Sequence, residues 1–347
     1  MPTFATVSQG PLASRPRRTT GLVRWACACW VFTSATPLLA GPLWDRLQER
    51  REARVEQHRP KAAELIAADA TLQRNNGTSH ATLPSGSRAE FNLAYGPDPR
   101  QRLDVYLPAT TPVAGVVFMV HGGAWRTGSK TAPGVVTHKV QRWLPRGVAV
   151  VSINYRLLPP ASVSAQANDV RTALAFAQAH AGRWGVPAER FVLMGHSAGA
   201  HLVALVSANP AGALAAGARP WLGTVVLDSA AMDVPALMTQ RHAPLYDSAF
   251  GQDPAFWHST SPIHHLTPQA PPVQLVCSTQ RPDHPCRQAE AFARRAHSLG
   301  VSAQVLPQAR SHGEINTDLG LPGPYTQAVE HFMAGLHPAL AKALATP

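Results

Sequence analysis

The chain has 347 residues, of which 45% are hydrophobic and only 15% charged. That balance excludes a disordered or fibrous protein and is ample for a large core. The formal net charge is +11, but ten Lys and Arg against four acids in residues 1–61 put +6 of it in one N-terminal segment. The rest has no basic run with interleaved aromatics, which argues against nucleic acid as a partner.

In chain order, Arg15, Arg17, Arg18 and Arg24 precede WACACWVFTSATPLLA, an apolar and small-residue run bounded by Pro37 and Pro42. A basic segment before about 15 such residues has the pattern of an export signal, and a full membrane span needs about 20. Residues 1–43 are therefore read as a signal peptide or membrane anchor. The chain is expected to be exported, to the periplasm or the medium, or tethered to a membrane through this segment alone. Residues 44–88 are first rich in charge and helix formers, then loop-like, and read as a helical or flexible connector. Residues 89–347 form the remaining domain.

From residue 90 the patterning becomes regular. EFNLAYG and RLDVYLP alternate apolar and polar residues, as antiparallel strands do. GVVFMV and GVAVVSINY are continuous apolar runs, the signature of strands buried on both faces. A helix pattern over residues 164–185 ends at Gly185. RFVLMG reads as a strand and AGAHLVALVSA as a helix. GTVVLD and PVQLVCS are further buried strands. CRQAEAFARRAHSLG is a helix, VSAQVLP a strand, and residues 325–336 a last helix. This alternation predicts an α/β domain: a mostly parallel central sheet, helices on both faces and an antiparallel N-terminal edge.

One junction carries chemistry. In VLMGHSAGAHL a buried strand turns at once into a helix, with Ser197 between Gly195 and Gly199. Glycines let the backbone pass close to its neighbours, and the following helix turns free N–H groups toward the serine hydroxyl. This is the nucleophile-elbow pattern G-x-S-x-G. A serine hydroxyl needs a base, and on such a scaffold the order is nucleophile, acid, base. His312, in a loop after the strand VSAQVLP, sits where the base belongs. Asp283, after PVQLVCS, is expected to be the acid, with Asp228 and Asp233, after the preceding strand, as rivals. In VHGGAW the backbone N–H groups of Gly122 and Gly123 can converge with that of Ala198 on one oxyanion. His121 is expected to order this loop, and His196 to flank the pocket.

HGGAW, INYRLLP, NDVRTALAFAQAHA, GHSAGAHLVAL and SHGEIN fall in that order along the chain. Together they resemble the α/β-hydrolase superfamily near its HGG-type carboxylesterases: the feruloyl-esterase-like, kynurenine-formamidase-like and hormone-sensitive-lipase-like enzymes. The resemblance covers about residues 89–336. It implies an α/β-hydrolase fold and hydrolysis of a small-molecule carboxylic ester through an acyl-enzyme, with no metal and no cofactor. The nucleophile, acid, base and oxyanion roles carry onto Ser197, Asp283, His312, and Gly122, Gly123 and Ala198. The lipase-like branch usually has a third glycine where Ala124 stands, so GAW and GHSAGAHL match the formamidase and feruloyl-esterase side better. A small amidase of the arylformamidase kind, or a peptidase, shares this chemistry. A non-catalytic binding protein on the same fold is the third reading, against which Ser197 and His312 both count.

Between residues 229 and 270 there is no long strand. This insertion, before the last strands, can lie over the site, and its Tyr246, Phe250 and Trp257, with Trp125, are candidates to line a substrate pocket. The spacing of His258, His264 and His265 matches no standard metal-ligand pattern. Cys277 and Cys286 flank the loop that carries Asp283, and a disulfide between them is expected in an oxidising compartment.

Overall fold

The structure, a computed structural model, describes residues 80–345. The expected signal or anchor over residues 1–43, and residues 44–79 of the connector expected over residues 44–88, lie outside the described residues.

Among the described residues, eight strands form one sheet. The two amphipathic runs become β1 (Arg88–Ala94) and β2 (Arg102–Leu107). β2 is antiparallel to both β1 and β4 (Val148–Ile153). From there β4, β3 (Gly115–Val120), β5 (Phe191–His196), β6 (Gly223–Leu227), β7 (Val273–Ser278) and β8 (Ala303–Gln308) run parallel. The expected mostly parallel sheet with an antiparallel edge is what forms.

The continuous apolar runs are explained by burial on both faces. In β3, Val116, Phe118 and Val120 point into one core while Val117 and Met119 point into the other. Leu193 and Met194 of β5 divide in the same way. Helices α1 (Pro133–Trp143), α2 (Val163–His180), α3 (Ala198–Ala208) and α4 (Ala211–Ala215) come before β6. The residues between β6 and β7 form four short helices: α5 (Val234–Met238), α6 (Pro244–Phe250), α7 (Pro254–Ser259) and α8 (Pro262–His265). They are followed by α9 (Pro285–Ser298), α10 (His312–Thr317), α11 (Pro324–Leu336) and α12 (Pro338–Leu344). α2 and α3 cover one face of the sheet with the insertion, and α1, α11 and α12 cover the other. Among the described residues no helix is long and apolar enough to cross a membrane.

The helix α1 is not anticipated by the sequence pattern. Its buried stripe of Val135, Val136, Val140 and Trp143 is interrupted by Lys139, which is also buried. Lys139 Nζ donates to the Asn316 carbonyl at 2.7 Å and to Asn316 Oδ1 at 3.1 Å. A charged residue inside an apolar stripe hides the helix from a periodicity reading, yet here it ties α1 to the C-terminal half of α10.

Candidate active site

The parallel strands end on a common edge, and the side chains of interest sit at the ends of β3, β5, β6 and β8. At the end of β5 the chain makes the sharp turn expected of it. Ser197 has φ 57° and ψ −119°, a backbone conformation that side-chain-bearing residues rarely adopt. Both flanking glycines are required sterically. A Cβ at Gly195 would lie 2.3 Å from the Gly199 carbonyl oxygen, and a Cβ at Gly199 would lie 2.2 Å from the Val120 carbonyl oxygen. The elbow is thus wedged against the end of β3, and any side chain at either position must displace backbone.

His312 is the first residue of α10, and its position is fixed by a capping box. Ser311 Oγ accepts from the Glu314 N–H, while Glu314 Oε2 accepts from the Ser311 N–H at 2.7 Å. His312 Nε2 lies 2.9 Å from Ser197 Oγ, and Nδ1 lies 2.6 Å from Asp228 Oδ2. The buried ring of His196, one residue before the serine, lies 4.5 Å from the His312 ring, and its Nε2 is 2.9 Å from the His312 carbonyl oxygen. His196 therefore does more than flank the pocket: it braces the backbone of the residue that faces Ser197.

Asp283, expected from the sequence as the acid, is not the carboxylate beside His312. That position belongs to Asp228, which immediately follows β6. Asp228 is fully buried and has φ 60°, a left-handed turn that swings its carboxylate over the sheet edge. Its Oδ1 accepts from the Ser278 N–H at 2.8 Å, and its Oδ2 faces His312. Asp283 lies in the loop after β7, is partly exposed, and is engaged by the Arg281 guanidinium. Arg281 also reaches Asp228 Oδ2 at 2.9 Å, so it stands between the two carboxylates. The third candidate, Asp233, caps α5 by accepting from the Ala236 N–H and does not reach the site. Burial by itself would raise the Asp228 carboxyl. The adjacent Arg281 charge and the bond from His312 outweigh it and hold Asp228 well below the usual carboxylate range.

The HGGAW loop packs directly on the elbow. A Cβ at Gly122 would lie 2.9 Å from Ser197 Cβ, so glycine is needed for the approach. Gly123 has φ 115°, and Ala124 and Trp125 both take left-handed φ, at 51° and 58°. Three consecutive residues in that region form a tight, strained turn. His121 is fully buried. Its ring stacks on Tyr155 at 4.4 Å, its Nδ1 is 2.7 Å from the Gly122 carbonyl oxygen, and its own carbonyl accepts from Tyr155 Oη at 3.0 Å. Burial drives its pKa down to about 3, so it is a neutral structural imidazole that orders the loop. Ala198 opens α3, where the first N–H groups of a helix have no partner within it. Gly122 thus lies against Ser197, and Ala198 directly follows that serine at the start of α3.

Of the four expected pocket aromatics, three come together. Trp125 meets Phe250 edge-on at 5.1 Å and Tyr246 at 6.1 Å, and all three are buried. His201, one helical turn beyond Ser197, joins them edge-on to Trp125 at 5.4 Å, and burial lowers its pKa to about 4. Trp257 does not join them: its Nε1 donates to the Gly251 carbonyl at 3.1 Å and ties α7 back onto the end of α6. The aromatic nest is thus built by α6 of the insertion against the HGGAW loop. The expected bridge between Cys277 and Cys286 is present and closes the loop that carries Arg281 and Asp283. Arg281, His201 and Lys139 are residues of this region whose parts the sequence does not announce. Only Arg281 had a visible signal, a cation in the loop where an acid was sought.

A family model described as BD-FAE matches residues 103–216, which include the HGGAW loop and the elbow. The chain is similar to the probable isoprenylcysteine alpha-carbonyl methylesterase ICMEL1 of Arabidopsis thaliana, at 27% identity over 69% of this chain and 53% of the relative. It is also similar to the esterase LipC of Mycobacterium tuberculosis, at 29% identity over 71% of this chain and 64% of that one. The chain therefore spans between about half and two thirds of the length of these curated relatives. Among solved structures, a truncated carbohydrate esterase from gut microbiota superposes with a TM-score of 0.64 at 18% identity, covering 74% of this chain and 99% of the other. The sheet order and the superposition are those of the α/β-hydrolase fold. The chain has that fold, and over residues 103–216 it is similar to the family described as BD-FAE.

Proposed function

We propose that the chain is a serine esterase that hydrolyses carboxylic esters through an acyl-enzyme, with Ser197 as nucleophile, His312 as base and Asp228 as the acid. The observation that carries this reading is the continuous chain from Ser197 Oγ to His312 Nε2 at 2.9 Å and from His312 Nδ1 to Asp228 Oδ2 at 2.6 Å. The relatives named esterases support the choice of an ester bond over an amide.

In this mechanism Ser197 Oγ attacks the ester carbonyl while His312 Nε2 takes its proton. Asp228 accepts from Nδ1, keeps the ring in that tautomer and stabilises the imidazolium as it forms. The tetrahedral oxyanion is held by the N–H groups of Gly122, Gly123 and Ala198, each worth roughly 3–4 kcal/mol in such sites. Collapse breaks the bond to the leaving oxygen, which takes the proton from His312. Water then repeats the sequence against the acyl-serine. Every step uses the protein's own groups. Trp125, Tyr246 and Phe250 supply an apolar wall for the acyl or alcohol portion.

Turnover of p-nitrophenyl esters of graded chain length, run beside feruloyl esters and N-formylkynurenine, tests the reading. Hydrolysis of the esters together with labelling of Ser197 by a fluorophosphonate is expected. Turnover confined to the formamide would move the chain to the amidase side.

The same reading includes a compartment. The Cys277–Cys286 bridge supports the expectation that residues 1–43 direct the chain out of the cytoplasm, because such bridges persist where the surroundings oxidise. Fractionation of the native host tests it: recovery in the cytosol with both thiols alkylatable would count against export.

A further inference from the structure

The loop after β7 presents a cation to the site where an acid was expected. Arg281 Nη1 lies 2.9 Å from Asp228 Oδ2, 3.1 Å from the Asp228 carbonyl oxygen and 2.9 Å from His312 Nδ1. The other edge of the same guanidinium is forked onto Asp283, with Nε donating to Oδ1 at 2.9 Å and Nη2 to Oδ2. The Arg281 side chain is only 11% exposed, and the Asp228 side chain is fully buried. Two donors, Arg281 Nη1 and His312 Nδ1, converge on one oxygen of Asp228.

Two electrostatic demands meet here. A fully buried carboxylate stays ionised only with compensating charge or hydrogen bonds, and Arg281 supplies both. Yet a guanidinium this close to Nδ1 opposes the positive charge that His312 must carry during turnover. Arg281 and Asp228 alone would present no net charge to the imidazolium. Asp283 changes that balance: two carboxylates around one guanidinium leave a net negative cluster facing the ring.

We propose that Arg281 and Asp283 are positioning residues of the esterase site. Arg281 fixes the ionised Asp228 against His312, and Asp283 neutralises the field of Arg281 at the imidazole. The Cys277–Cys286 bridge closes the loop that carries both. This proposal rests on the triad reading given above. The other groups around the ring do not supply the same balance. His196, at the end of β5, faces the His312 carbonyl. Tyr246 of α6 and Tyr325 of α11 lie within electrostatic reach of Arg281 and Asp228 respectively, and burial raises both phenols, so they stay neutral. Ser197 faces Nε2.

The test is the acid limb of the kcat/KM profile for a short-chain p-nitrophenyl ester, measured in the intact, oxidised chain. Removing the cation in Arg281→Gln favours the imidazolium, so the limb moves to higher pH. Removing its counter-charge in Asp283→Asn disfavours the imidazolium, so the limb moves to lower pH. Each displacement is expected to be roughly one pH unit. Arg281→Lys, which keeps the charge without the fork, brings the limb back toward wild type while kcat stays reduced. Asp283 is partly exposed, so its variant carries the test even if Arg281→Gln does not fold. Limbs that coincide with wild type, or that move the same way in both variants, overturn the proposal. A wild-type chain that neither turns over the ester nor takes the fluorophosphonate at Ser197 overturns the esterase reading and this proposal together.

Discussion

At the scale of single residues the site makes sharp demands. Ser197→Ala is expected to lower turnover by roughly 10⁴–10⁶-fold, with His312→Ala similar and the double variant little worse, because members of a triad act as one unit. Steady-state kinetics on the three variants checks this, and additive losses would contradict it. Asp228→Asn removes the acceptor at Nδ1 and is expected to cost about 10⁴ in kcat. Asp283→Asn is expected to stay within about tenfold of wild type at the pH optimum, because it acts through Arg281 rather than on the ring. If the two aspartates exchange these magnitudes, the acid belongs to the loop after β7. The elbow was legible in the sequence because its requirement is local: a Gly195 Cβ would strike the Gly199 carbonyl at 2.3 Å whatever the rest of the fold does. His312 was legible by its place after the last strand pattern, VSAQVLP, whereas the capping box that seats it at the start of α10 was not read in advance. The acid was not legible. Asp228 and Asp283 both follow a parallel strand on the same sheet edge. Which of them reaches the ring depends on the left-handed turn at Asp228 and on the Arg281 fork, neither of which leaves a mark on residue spacing.

At the scale of elements, two segments govern the site without supplying its reacting atoms. Helix α6 brings Tyr246 and Phe250 against Trp125. Phe250→Ala opens that wall, so preference among p-nitrophenyl esters is expected to move toward longer acyl chains, read as a change in the ratio of kcat/KM values. A loss equal for every chain length would show that Phe250 only packs the insertion. The loop between Cys277 and Cys286 is the second segment. Cross-linking so short a loop is worth on the order of 2–3 kcal/mol in the chain-entropy view. Its local effect on Arg281 is expected to exceed that: Cys277→Ser with Cys286→Ser should lower kcat more steeply than it lowers the denaturation midpoint. Urea titration beside kinetics decides it, and parallel losses would make the bridge a general staple. Some elements were hidden from the sequence for a shared reason. α1 and the four insertion helices are short or carry polar residues at buried positions, as with Lys139, so no apolar period announces them.

At the scale of the whole molecule, the antiparallel edge is joined to the HGGAW side by a buried ion pair. Lys130 Nζ donates to Asp104 Oδ1 at 2.6 Å and to Asn92 Oδ1 at 2.9 Å, with the lysine and aspartate side chains at 3% and 0% exposure. Lys130→Met alone strands a buried carboxylate and is expected to cost about 3–5 kcal/mol. The double variant Lys130→Met with Asp104→Leu should recover much of that loss. Chemical denaturation of the three proteins checks the pattern, and a double variant no better than the single one would show that the pair contributes more than mutual neutralisation. The parallel core itself was readable because strands buried on both faces are apolar at most positions, even though β4, β6 and β7 also bury Ser152, Thr224 and Gln274. The buried polar ties between strands and loops were not, since each is made by residues far apart in the chain.

The three groups of the proposed triad are contributed by the ends of β5 and β6 and the start of α10, and Ser197 and His312 are 115 positions apart in the chain. That distance has a consequence for when the chain becomes active. A nascent or incompletely docked polypeptide already contains the serine, but it has neither an imidazole to deprotonate it nor a carboxylate to hold that imidazole in register. Ser197 stays an ordinary alcohol until the chain beyond β8 has come home. Synthesis, and any unfolded passage to another compartment, is therefore safe from premature hydrolysis. The onset of ester cleavage during refolding is a clock for the last docking event, later than the return of secondary structure.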